Sequence, residues 1–122
     1  MLNLRHCHFF SVCDGHGHNG QEVSGLLKHR LPFQIEKHLK ESLVKHSMTQ
    51  YPDSALVVEP LMKAFAESNN EVYRMVSDVR FSGSTCTSII TYGRRVYCAN
   101  VGDSRTILIK AAPNQADGKL PA

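Results

Sequence analysis

Apolar and polar positions follow two rhythms along this chain, and the changes of rhythm divide it. Residues 8–13, His8-Phe9-Phe10-Ser11-Val12-Cys13, join aromatic and β-branched residues and stop at Asp14-Gly15, the pattern of a strand entering a turn. From there the period lengthens. Val23, Leu26, Leu27 and Leu31 recur at three- and four-residue spacing, with Lys28, His29 and Arg30 largely on the opposite side. Asn19, with Glu22 three positions on, predicts a helix start closed by a capping box. Pro32 is expected to kink or interrupt that helix, leaving a second piece from Phe33 to about Lys45 that carries Ile35, Leu39 and Leu43 on one side.

Ser47 to Asp53, with Tyr51-Pro52, reads as a polar linker. The next helix has the clearest stripe: Leu61, Phe65, Ser68, Val72 and Met75, with Glu67, Asn70, Glu71 and Arg74 facing outward and Pro60 in the first turn. After Asp78-Val79-Arg80 the period falls to two. Residues 84–92, 95–101 and 105–110 predict three antiparallel strands, joined by turns at Tyr92-Gly93-Arg94-Arg95 and Val101-Gly102-Asp103-Ser104. Ala111 to Ala122 lacks periodicity and reads as loop. Strand, helices and then hairpin strands give an α+β class rather than a regular βαβ alternation.

Composition narrows the function classes. A formal charge of +3 without long basic or acidic blocks gives no support to a nucleic-acid or membrane role. Residues 1–6 lack the apolar core of a signal peptide, and no apolar run is long enough for a bilayer. The four cysteines, Cys7, Cys13, Cys86 and Cys98, form no Cys-x-x-Cys pair and sit in strand-like surroundings. They are expected to be buried free thiols, which suits a reducing compartment, cytoplasmic or nuclear.

Candidate chemistry concentrates between the first strand and the first helix. Gly15-x-Gly17-x-x-Gly20 matches the dinucleotide-binding fingerprint. Against it, the acids some twenty residues on, Glu36 and Glu41, lie in a helical pattern, and Asp14 would repel a pyrophosphate. His6, Cys7, His8, Cys13, His16 and His18 crowd together, yet no spacing among them matches a zinc ligand set, and His6, His8, His29, His38 and His46 read as surface or half-buried residues. Asp14-Gly15-His16 has a logic of its own. A carboxylate and an open carbonyl suit a hard cation such as Mg²⁺ or Mn²⁺, and a neighbouring imidazole can protonate a leaving alkoxide. The tripeptide is equally an ordinary turn.

A second group of motifs bears on that choice. Phe81-Ser82-Gly83-Ser84-Thr85-Cys86-Thr87 leads into a hairpin ending Ala99-Asn100-Val101-Gly102-Asp103-Ser104-Arg105. Together with Phe9 to Gly17, and with Leu61-Met62-Lys63-Ala64-Phe65 as a second helix, this resembles the metal-dependent serine/threonine phosphatases of the 2C type over residues 8–110. The resemblance implies part of a four-layer α-β-β-α sandwich, two antiparallel sheets flanked by helices. It implies hydrolysis of phosphoserine and phosphothreonine proteins by a water activated between two Mn²⁺ or Mg²⁺ ions. Asp14 would bridge the metals, Gly15 would bind one through its carbonyl, and His16 would protonate the leaving oxygen. Asp103 would attend a third, weaker metal, while Ser84, Thr85 and Arg105 would support the loops.

Other family features have no counterpart here. Residues 1–13 contain no acid, Arg5 does not match the phosphate-gripping arginine, and no tryptophan marks the downstream Asp-Gly-x-Trp-Asp segment. The chain is therefore expected to be an internal portion of a phosphatase domain, inactive alone and prone to self-association through uncovered sheet edges. An inactive phosphatase-like binding module is the alternative.

Overall fold

The computed structural model describes residue 4 and residues 6–45 and 53–110. Five strands and two helices follow in the order β1 (Cys7–Val12), β2 (Gly15–His16), α1 (Gly20–Lys45), α2 (Ala55–Met75), β3 (Gly83–Ser84), β4 (Cys86–Tyr92) and β5 (Arg95–Val101). The linker expected from Ser47 lies outside the described residues up to Pro52, as does the tail from Ala111.

β4 is the central strand of an antiparallel sheet in the order β1-β4-β5. It pairs Phe9 with Ile90 on one side and Tyr97 with Ile90 on the other. The two-residue turn at Gly93-Arg94 fits this hairpin because Gly93 takes the positive φ, 60°, that the first position needs. β2 and β3 form a second antiparallel pair, Gly15 opposite Ser84 and His16 opposite Gly83. These two sheets and two helices are the α+β sandwich elements read from the sequence.

Alternation along β4 explains how the layers meet. Cys86, Ser88 and Ile90 are buried toward the helices, while Thr87 and Ile89 are less covered. Leu31, Ile35 and Leu39 of α1 and Val57, Leu61 and Ala64 of α2 complete that core. A smaller cluster of Val23, Val72 and Val76 closes the end nearest the Asp14 loop. On the sheet's other face, Phe10, Val12 and Val96 remain exposed.

Pro32 does not interrupt α1, which runs unbroken for 26 residues. The proline removes the hydrogen bond to the Lys28 carbonyl, but Lys28 is exposed and its carbonyl can be hydrated. Leu31 and Ile35, both fully buried against the core, hold the helix on either side of it. Pro60 likewise lies inside α2 rather than in its first turn, because the helix begins at Ala55. The carbonyl it leaves unpaired, that of Leu56, receives the Ser42 hydroxyl at 2.9 Å. Asn19 stands just before α1, and its backbone carbonyl accepts the Val23 N–H at 3.0 Å. Its side-chain amide reaches across to the Ser77 and Asp78 carbonyls, at 2.6 and 3.1 Å, and so ties the end of α2 to the start of α1.

Two positions of the α2 stripe differ from the reading. Met75 is exposed, and Glu71, expected outside, is buried. Arg30 of α1 donates to both Glu71 carboxylate oxygens, at 2.6 and 2.8 Å, and Gln34 adds a third bond at 2.8 Å. A carboxylate between helices is tolerable because this fork satisfies it. The hydrogen bonds from Arg30 hold the Glu71 carboxyl below its usual range. A lowered folded-state value means stability that is present above the unfolded value and lost as pH falls through the folded one. Urea midpoints of the wild-type chain should therefore fall more steeply between about pH 5 and about pH 3 than those of Glu71→Gln. Equal slopes would contradict this lock.

The third hairpin strand is also corrected. Residues 104–110 form no ladder, and Ile107, Leu108 and Ile109 are exposed. Instead, hydroxyl pairs link Ser104 to Thr85 at 2.7 Å and Thr106 to Thr87 at 2.5 Å. The segment thus turns across the sheet face away from the helices rather than extending the edge at β5. Of the cysteines, Cys7 and Cys86 are buried and Cys13 partly so, whereas Cys98 is exposed, contrary to expectation.

Candidate functional site

Asp14 sits where β1 gives way to β2, facing the break between β4 and β3. Thr85 spans that break. Its N–H donates to the Asp14 carbonyl at 2.9 Å, and its hydroxyl accepts the Asp14 N–H at 3.3 Å. The same hydroxyl bonds Ser104, the residue after Asp103. One threonine therefore fastens the Asp14-Gly15-His16 turn to the Gly102-Asp103-Ser104 turn, 71 and 19 residues away along the chain. Gly102, at φ 92°, packs its α-carbon against Thr85, and the Asn100 amide donates to its carbonyl at 3.2 Å. Asp14, Gly15, His16 and Asp103 are all exposed residues at the rim of the sheet.

The glycines of this loop are there for close backbone packing. A Cβ on Gly15 would lie 2.2 Å from the Gly20 carbonyl oxygen, and one on Gly20 would lie 2.7 Å from the Gly15 carbonyl carbon. Gly17 has φ 78° and faces the Phe81 carbonyl, where a Cβ would come within 2.0 Å. Protein backbone thus occupies the space into which a dinucleotide loop would admit a pyrophosphate. The neighbouring strands are antiparallel, and Glu36 and Glu41 lie within α1, not at the end of a parallel strand. The dinucleotide reading is overturned.

The His16 ring lies over Gly83, whose absent Cβ would stand 3.0 Å from Nε2. Ser82 supports the same turn, its hydroxyl accepting the Asn19 N–H at 3.0 Å. His16, Ser82, Gly83 and Ser84 line one end of a cavity of about 400 Å³ that runs beneath the loop to Phe65, Ser68 and Val72 of α2.

A family model described as protein phosphatase 2C matches residues 3–116. The chain belongs to the protein phosphatase 2C family. It is similar to Probable protein phosphatase 2C 72 of Arabidopsis thaliana, 37% identical over 97 residues, which cover 80% of this chain and 29% of that relative. It is also similar to Probable protein phosphatase 2C 35 of Arabidopsis thaliana, 34% identical over 101 residues, or 83% of this chain and 26% of the relative. Protein phosphatase 2C homolog 3 of Schizosaccharomyces pombe is 33% identical over 120 residues, or 91% and 25%. The chain spans less than a third of the length of these curated relatives.

Phosphatase 2C proteins are metal-dependent hydrolases, so the donor set bears examination. Its chemistry is right for a hard cation, with two carboxylates and backbone carbonyls on exposed turns. Its number is short: among the described residues no group of three His, Cys, Asp or Glu side chains comes together to hold a metal. In this phosphatase 2C chain Asp14 and Asp103 offer carboxylate chemistry of the right kind and do not by themselves make a complete site.

Thr85 is the residue whose importance the motifs understated. The signal was the Gly-Ser-Thr run opening a strand, read as loop support, and only the fold reveals that it joins both turns.

Proposed function

We propose that this chain supplies one corner of a metal-dependent protein serine/threonine phosphatase site acting on phosphoserine and phosphothreonine proteins. The observation that carries the reading is the Thr85 joint between the Asp14 and Asp103 turns. Asp14 and the Gly15 carbonyl would hold the principal Mn²⁺ or Mg²⁺ ions, and Asp103 a weaker one. Bound there, the cations would supply charge neutralisation of the phosphate and acidify a water. His16, exposed beside them over Gly83, would give a proton to the departing serine or threonine oxygen. Thr85 holds the two turns at fixed separation without touching substrate.

With no group of three metal-ligating side chains among the described residues, residues 1–122 alone are proposed to be inactive. The test is hydrolysis of a phosphoserine peptide by the purified chain with and without Mn²⁺. No Mn²⁺-stimulated release of phosphate is expected, and robust stimulated turnover would overturn the reading.

A further inference from the structure

Cys13 and Cys86 face each other at the strand ends beside Asp14 and Thr85. The β1–β4 register runs to Val12 opposite Thr87, and the next-but-one position is fixed by the Thr85 N–H bond to the Asp14 carbonyl. The position between them pairs Cys13 with Cys86. Because Asp14 and Thr85 are joined by a ladder bond, this pair falls at a non-hydrogen-bonded site. At such sites in antiparallel ladders, facing α-carbons stand about 4.5 Å apart, inside the range of about 4.4–6.8 Å that disulfides span.

The surroundings gather both sulfurs. The Ser11 hydroxyl lies 3.7 Å from the Cys13 Sγ and 3.5 Å from the Cys86 Sγ, and the Ser88 hydroxyl lies 3.4 Å from the latter. Cys7 and Cys98 stand instead opposite Tyr92 and Ile89 in the strand register. Cys13 is half-buried and Cys86 is buried, and each borders a cavity. Cys13 lines an open cleft of about 470 Å³ between β1 and α1, and Cys86 lines the cavity that opens beside His16.

We propose that Cys13 and Cys86 are a peroxide-sensitive dithiol that closes to a reversible disulfide. A thiolate sulfur attacks one oxygen of a hydroperoxide. The S–O bond forms, the O–O bond breaks, and the departing oxygen leaves as water or alcohol after taking a proton. The second sulfur then attacks the sulfenic sulfur, so that the S–S bond forms and water departs with the second proton. Two thiols are oxidised and one hydroperoxide is reduced. The resulting bond would pin together the ends of β1 and β4, one residue from Asp14.

The test uses the reduced 122-residue chain and hydrogen peroxide at neutral pH, with thiols counted by maleimide mass shift. Two of the four thiols should be lost and should return with dithiothreitol. A tryptic digest without reductant should contain residues 6–28 joined to residues 81–94, lighter by two hydrogens than their sum. Fragmentation should place the link at Cys13, and Cys7→Ser should leave it intact. Cys13→Ser and Cys86→Ser should each abolish it. If either variant does not fold, the map on the unsubstituted chain decides. A link through Cys7 or Cys98, separate over-oxidised cysteines, or no thiol loss would each overturn the proposal.

Discussion

Asp14→Asn is expected to lower kcat/KM for a phosphoserine peptide by about a thousandfold. The setting is a phosphatase 2C catalytic domain carrying residues 8–110 in place of its own matching segment. Asparagine keeps the shape of the side chain and removes its charge. The charge stabilisation at stake is several kcal/mol, and each 1.4 kcal/mol is worth about tenfold in rate. Stability should hardly change. The bonds that tie residue 14 to Thr85 are made by its backbone N–H and carbonyl, which asparagine retains, and the side chain is exposed. The melting temperature should move by less than about 3 °C, as for a surface substitution. Raising Mn²⁺ should recover part of the lost rate. An Asp14→Asn protein with nearly full activity would remove Asp14 from the site.

Gly15→Ala should act in the opposite way, through the fold. Its new methyl group would lie 2.2 Å from the Gly20 carbonyl oxygen, 2.6 Å from its carbon and 2.9 Å from the Ser24 hydroxyl. Two of these atoms belong to the first turn of α1 and cannot swing aside. Forcing the loop off the helix should cost about 3 kcal/mol or more, at the upper end of overpacking penalties. For a chain of this size that is a fall of about 10 °C or more in melting temperature. Gly25→Ala is the matched control. It lies inside α1 with nothing within 4 Å of an added Cβ, so it should stabilise by about 0.5–1 kcal/mol. Thermal melts monitored by circular dichroism compare the two. A tolerated Gly15→Ala would show that the loop is not packed against the helix as described.

What could be read from the sequence was what neighbouring residues decide among themselves. The strand into Asp14-Gly15, the stripe of α2 and the Gly93 turn depend on spacing, β-propensity and one positive φ, all local. The errors arose where a distant segment sets the outcome. Pro32 stays inside α1 because Leu31 and Ile35 are clamped by the sheet and α2. Pro60 stays inside α2 because Ser42, from the other helix, takes up the Leu56 carbonyl. Glu71 turns inward because Arg30 and Gln34 wait there. Residues 105–110 have strand composition, but hydroxyl contacts to β4 carry the segment across the sheet face.

The site divides in the same manner. Asp14, Gly15, His16 and Asp103 were visible as chemistry, since a carboxylate, an open carbonyl and an imidazole in one turn suit a hard cation and a proton transfer. The glycine spacing that pointed to a nucleotide had another cause, the contact of Gly15 with Gly20 and of Gly17 with Phe81. That cause is invisible without the fold. So is the meeting of Cys13 with Cys86, which depends on the register of two strands more than 70 residues apart.

The central claim is that residues 8–110 furnish a working corner of a phosphatase 2C site. The most direct measurement is phosphoserine-peptide turnover by the domain carrying this segment, titrated with Mn²⁺, beside the Asp14→Asn version of the same protein. Mn²⁺-dependent phosphate release that disappears with Asp14 is expected. A cooperatively folded hybrid that releases no phosphate at any Mn²⁺ concentration would contradict it.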